Sequence, residues 1–140
     1  MKLFLDANVI FTAAYSRTGN GRGLFMLADA DCCTLCTSAF ALDEARRNLA
    51  LKAPDKLNEL DRLLSGLAIV PESPPDGVKR AASLPLAMKD APIMAAAIAC
   101  SSDILVTGDR RDFGHLFGKI VEGVRVLTPR DTLEELLKHQ

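Results

Sequence analysis

Four acids stand where alternating strands and helices could bring them together. Asp6 follows the apolar run "KLFL", and Asp109 follows "ILVT" within "TGD". Asp90 opens the Ala-rich segment "APIMAAAIAC", and Glu44 lies within "AFALDEARRNLALK". Clustered carboxylates repel one another and are costly to hold together without a cation. Hard divalent ions such as Mg²⁺ and Mn²⁺ prefer oxygen ligands. An ion held this way can polarise a phosphoryl oxygen, lower the pKa of bound water and stabilise the leaving oxygen of an in-line displacement. That is the outline of metal-dependent phosphodiester hydrolysis. No serine–histidine or cysteine–histidine arrangement competes, because the only histidines are His115 and His139 and neither has metal-ligand spacing. His115 in "FGHLF" reads as structural and His139 as part of a frayed terminus.

Each acid also has an ordinary reading. Asp90 alone reads as a helix N-cap, since Pro92 and an Ala-rich helix follow it. Glu44 and its neighbour Asp43 read as solvated helix residues, and Asp109 as a turn residue, because Gly-Asp favours turns. Asp6 is the hardest to dismiss, for it ends a buried strand beside an apolar core. The set carries the inference.

Positioning the set requires a sheet. Lys2–Leu5 reads as a buried strand, since Leu3, Phe4 and Leu5 run without polar alternation. A helix over 8–15 follows, then the turn-rich loop "SRTGNGRG", a helical stretch over 24–30 and a strand over 32–37. Ser38 caps a helix over 39–52, and Pro54 begins another that repeats leucine at 57, 60, 63, 64 and 67. Strand "AIV" is closed by "PESPPDG", and a helix runs through "GVKRAASL". The helix after Asp90, strand "ILVT", strand "GVRVL" and a terminal helix with Thr128 as cap and Pro129 at its first position complete the order. Five strands alternating with helices imply a parallel sheet covered on both faces. The expected fold is an α/β/α sandwich of three layers around a central parallel five-stranded sheet, as one domain over 1–140. Strand ends in such a sheet share one edge, so Asp6 and Asp109 meet there if their strands are neighbours.

Composition sets further bounds. The chain has 140 residues, 49% hydrophobic and 25% charged, which fits a globular class and no disordered one. No apolar run approaches the roughly 20 residues of a membrane span, so no membrane role is expected. The first residues carry no secretory pattern, and the expected location is the cytoplasm. Cys33 and Cys36 have Cys-x-x-Cys spacing, but no nearby histidine supports a zinc set, and Cys32, Cys33, Cys36 and Cys100 read as small apolar residues rather than zinc ligands. With 17 basic and 18 acidic residues the net charge is −1. A polyanionic substrate would need a bound cation or a local basic patch.

"FLDANVIF", "SAFALDEARRNL" and above all "KDAPIMAAAIACSSDILVTGDRRDF" resemble the PIN domain, nearest to the small toxins of VapBC-type toxin–antitoxin pairs. The resemblance spans nearly the whole chain. It implies a Mg²⁺- or Mn²⁺-dependent endoribonuclease with an acidic pocket at the strand carboxyl edge. Asp6, Glu44, Asp90 and Asp109 match its four acidic positions as catalytic metal ligands. Asn8 and Thr107 match supporting polar positions, and Asp112 matches an auxiliary acid of some relatives. Only one of Asp43 and Glu44 can face the pocket, because one residue turns a helix by about 100°. Arg46, Arg47, Lys89, Arg110 and Arg111 flank the acids and could meet RNA phosphates. Homodimerisation and a cognate antitoxin entering the acidic groove are further implications of the family.

Two other acid-bearing folds fit less well. A haloacid-dehalogenase-like phosphatase needs a second aspartate where Asn8 stands. A receiver domain needs a phosphoacceptor aspartate ending the third strand, which here runs "AIVPES". A PIN-like module that binds RNA or protein without cutting is the remaining alternative. An aromatic fraction of 5% without Trp argues against extensive base stacking.

Overall fold

Leu3, Phe4 and Leu5 are each 0% exposed and place β1 (Lys2–Leu5) at the middle of the sheet. The computed structural model describes residues 1–138, and His139 lies outside the described residues. The apolar run has no polar alternation because both faces of the strand are covered. Leu3 and Leu5 join a core cluster with α1 (Ala7–Tyr15), α2 (Asn20–Asp29), α3 (Ala39–Lys52) and α4 (Leu57–Leu63). Phe4 joins the opposite cluster with α5 (Pro75–Ala82) and α6 (Ala91–Ala99). In α6, Ile93, Met94, Ala95, Ala96 and Ala97 are all buried, as expected of a helix apolar on every side.

Beside β1 lie β2 (Thr34–Ser38) on one side and β4 (Ile104–Val106) on the other, both parallel to it. Strand β3 (Ala68–Val70) extends the sheet past β2, and β6 (Val124–Leu127) extends it past β4, again in parallel. These are the five expected parallel strands. A sixth, β5 (Ile120–Val121), corrects the count: it pairs antiparallel with β6, giving the order β3-β2-β1-β4-β6-β5. Its two-residue loop is Glu122 and Gly123, with φ of 48° and 88°. Positive φ at both positions is the hairpin turn that matches strand twist. The remaining elements are the one-turn helix α7 (Arg110–Phe113) and α8 (Pro129–Lys138).

Two helix ends match the capping residues read from the sequence. Ser38 Oγ accepts from the Ala41 N–H at 3.2 Å, and Thr128 Oγ1 accepts from the Asp131 N–H at 3.1 Å. The "GNGRG" stretch does not remain a loop, since α2 starts at Asn20. Gly21 is buried there, and a side chain at that position would come within 3.0 Å of the Val9 carbonyl oxygen. Close approach of α2 to α1 outweighs the low helix propensity of glycine. The helix expected from Pro54 is broken into 3₁₀ turns on either side of α4. His115 is exposed in a 3₁₀ turn rather than packed as a structural residue. Among the described residues no helix is long and apolar enough to cross a membrane.

The chain steps outward from β1 through β2 to β3, then returns to the other side of β1 for β4. The order therefore reverses between β1 and β4. In open α/β sheets the crevice beyond the strand carboxyl ends at this reversal is where sites form. Asp6 and the segment Thr107–Asp109 lie there.

Candidate metal centre

The site begins with two adjacent strand ends tied by side chains. Asp6 is 4% exposed and caps α1, its Oδ1 accepting the Ala7 N–H at 2.7 Å. Its Oδ2 accepts the Thr107 hydroxyl at 2.8 Å and the Asn8 amide at 3.2 Å. The Thr107 oxygen in turn accepts from the Asp109 N–H at 3.1 Å and from Asn8 Nδ2 at 3.3 Å. Asn8 Oδ1 accepts the Gly108 N–H at 2.8 Å. Thr107 and Asn8 thus fix the β4 exit against the β1 exit. Removing the hydroxyl with Thr107→Val should leave the Asp6 carboxylate and the Asp109 N–H each short of a partner. An unsatisfied buried group costs about 1–3 kcal/mol. A urea midpoint equal to that of the unsubstituted protein would refute this bracing role.

Asp109 caps α7 by accepting the Asp112 N–H at 3.0 Å, which brings Asp112 round beside it. Carboxylate oxygens of Asp90, Asp109 and Asp112 all lie within 4.8 Å of one another. Oxygens on opposite sides of a Mg²⁺ ion are about 4.2 Å apart, from ligand distances near 2.1 Å. Small side-chain movements close that difference. Asp90 occupies the N-cap position of α6 but makes no side-chain capping bond, so its ordinary reading fails. Its Oδ2 is buried and has no hydrogen-bond partner. A buried carboxylate oxygen left unpartnered beside two further acids fits a hard cation. Asp90, Asp109 and Asp112 would hold it.

The electrostatics agree with the geometry. Burial, with the Asp112 carboxylate beside it and the charge of Asp6, pushes the Asp90 carboxyl up to about 7. Burial also raises Asp6 to about 6, against the opposing bonds from Thr107 and Ala7, with Glu44 and Asp109 adding negative charge. Lys89 partly answers this charge: its Nζ is 3.3 Å from Asp112 Oδ2 and holds that carboxyl below its usual range. The same contact raises the Lys89 ammonium.

The expected acids are therefore distributed unequally. Asp90 and Asp109 are in the tight group with Asp112, whereas Asp6 and Glu44 stand outside it, the charge of Asp6 acting on Asp90 and that of Glu44 on Asp6. Asp43 is exposed, while Glu44 is half-buried and is the one whose charge reaches Asp6. Of the flanking basic residues, Arg46 reaches Asp61 at 3.1 Å, and Arg47, Arg110 and Arg111 are exposed. Asp112 outranks its place in the sequence reading because the Asp109 cap, invisible in spacing alone, aims it. Cys33 and Cys36 are buried, Cys36 Sγ lies 4.0 Å from Cys100 Sγ, and no cysteine belongs to the acidic group.

The sequence model of the PIN domain family matches residues 2–111. The chain belongs to the PIN domain family. Its matched stretch contains Asp6, Glu44, Asp90 and Asp109 and stops one residue before Asp112. No curated protein sequence matches the chain. Among solved structures, VapBC2 from Rickettsia felis bound to a DNA fragment from their promoter aligns with a TM-score of 0.68 at 19% identity, covering 91% of this chain and 98% of that one. PAE2754 from Pyrobaculum aerophilum aligns at 0.69 and 20% identity, covering 99% of both chains. FitAcB from Neisseria gonorrhoeae aligns at 0.59 and 24% identity, covering 91% of this chain and 98% of that one. At these identities the likeness is one of PIN fold.

Proposed function

We propose that this PIN protein is a Mg²⁺- or Mn²⁺-dependent endoribonuclease that hydrolyses RNA phosphodiester bonds, acting as the toxin of a toxin–antitoxin pair. The observation that carries the reading is Asp90, a buried carboxylate with an unpartnered oxygen, grouped with Asp109 and Asp112 at the sheet's reversal point. A divalent ion bound there would supply Lewis-acid charge at the scissile phosphate and a more acidic water. Asp90, Asp109 and Asp112 would hold the ion, and Asp6 would contribute through its remaining lone pairs or through water. Glu44 would complete the cluster by ligating the ion or orienting the attacking water. Lys89, tethered to Asp112, would offer its ammonium to a phosphate oxygen. Arg110 and Arg111 extend the positive rim along the RNA backbone, and Arg46 and Arg47 lie farther out.

Membership of the PIN family and the likeness to VapBC2 and FitAcB support a cognate antitoxin partner and a cytoplasmic setting. Homodimerisation and a single domain over 1–140 belong to the same proposal. The test is cleavage of a structured-RNA panel by purified protein with Mg²⁺, with Mn²⁺ and with EDTA, alongside Asp6→Asn. Cutting that needs metal and fails in the variant is the expected result. No cutting with either metal, or equal cutting by Asp6→Asn, would leave the alternative of a non-cutting RNA- or protein-binding module.

A further inference from the structure

Gly108 and Arg110, the two residues that flank Asp109 in the chain, line a cavity of about 500 Å³. Gly108 and Arg110 form one wall, Asn20 and Gly21 at the start of α2 a second, and Phe117 with Arg130 a third. Gly108 sits between Thr107 and Asp109, so the cavity adjoins the chain segment that carries one of the candidate metal ligands. Half of its lining, Phe117 and Arg130 included, lies beyond the stretch matched by the family model, which ends at residue 111.

We propose that this cavity is a nucleotide subsite, taking one unpaired nucleotide of the RNA strand adjoining the scissile phosphate. The proposal rests on the nuclease reading and goes beyond it by fixing where the strand runs and what holds it. The cavity's volume is within the range of about 300–1,000 Å³ typical of small-ligand sites. Phe117 is half-buried, packed against the core on one side and held by a backbone bridge to Val126, which leaves a fixed aromatic face for a base. Arg110 and Arg130 flank that face and answer the backbone charge. The Arg130 contact to Glu134 is an exposed 3.6 Å ion pair within one helix, weak enough for a phosphate to replace. The ten-residue helix α8 begins at this wall, so its amino-terminal dipole adds to the two arginines. Asp131 also lines the cavity and opposes them, leaving one net positive charge among the three side chains.

A concave slot with one aromatic face selects a splayed-out base over a paired one, because bases in an RNA duplex are stacked and their edges poorly accessible. Asn20 offers both a donor and an acceptor to a base edge. The low aromatic content of the chain is no obstacle, since one stacking residue serves one base.

Binding and cutting are tested separately. The full chain carrying Asp6→Asn is titrated into a short fluorescein-labelled unpaired RNA, alone and combined with Arg130→Gln or Phe117→Leu. Arg130→Gln should weaken binding about tenfold and flatten the slope of log Kd against log salt by about one, the signature of a lost phosphate contact. Phe117→Leu should weaken binding by a similar factor without changing the slope, since stacking is worth about 1–3 kcal/mol. A duplex RNA should be indifferent to both, and circular dichroism confirms that each variant is folded. In the otherwise unsubstituted protein, Arg130→Gln should raise KM with little change in kcat. Unchanged binding and KM in both variants, or no RNA binding at all, overturns the subsite. Normal metal-dependent cutting in those variants would do so while leaving the nuclease reading intact.

Discussion

Asp90→Asn is expected to abolish cutting, by on the order of a thousandfold or more, while making the metal-free protein more stable at pH 8. Loss of one preorganised charge-stabilising group commonly costs about 10²–10³ in rate, and here the lost group also helps to bind the ion. The gain in stability follows from the same atom. Asp90 Oδ2 is buried without a partner, and ionising it beside Asp112 and Asp6 is unfavourable. An amide has the same shape, carries no charge, and can donate to the Asp112 carboxylate. Activity and stability therefore move in opposite directions, a trade-off characteristic of sites held in strained electrostatic arrangements. Cleavage within threefold of the unsubstituted protein would remove Asp90 from the site. A lower melting temperature at pH 8 would show that its charge supports the fold instead.

Acidity should act on the metal-free protein in the unusual direction. Asp6 and Asp90 are raised from 3.8 to about 6 and about 7. Well below pH 3.8 both are protonated whether the chain is folded or unfolded. Between pH 4 and 7 the unfolded chain ionises first, so folding takes up protons and stability falls as pH rises. The loss is complete once both folded groups have ionised, above pH 7. Asp112, lowered by Lys89, has the opposite sign, but its effect lies below pH 4 and outside this window. One unit is worth about 1.4 kcal/mol, and the two acids share part of their repulsion. The melting temperature should accordingly drop by on the order of 5–10 °C between pH 5 and pH 8. Saturating Mn²⁺ or Mg²⁺ at pH 8 should recover most of it, because the ion binds only the folded cluster. A calorimetric scan series with EDTA and with metal decides the matter: a flat profile, or one rising with pH, contradicts the clustered-acid account.

Much of this arrangement was legible in the residues because local chemistry and global fold agree. Lys2–Leu5 runs apolar for the reason any doubly covered strand does, and Ser38 and Thr128 declare their helix starts. What escaped was set by tertiary contact. Asn20–Gly23 reads as a turn until α1 provides a surface that only a glycine can approach. Strand β5 has two residues, too short for any periodicity, although the Glu122–Gly123 pair between valines was a usable hairpin signal. The acids Asp6, Glu44, Asp90 and Asp109 were nameable from strand ends and helix starts. Their ranking was not. Asp112 joins the tight group because a cap three residues long points it there, while Glu44 on α3 stays outside that group, and sequence spacing encodes neither.

The place of β4 in the sheet has a consequence for the chain during its synthesis. This strand lies between β1, which precedes it in the chain, and β6, which follows it. Asp109 and Asp112 follow it directly, and Asp90 reaches them only when α6 has packed behind it. A ribosome-bound fragment ending anywhere before β6 lacks one of β4's two flanking partners. Until β6 is made, β4 and the acids that follow it are therefore braced on the β1 side alone.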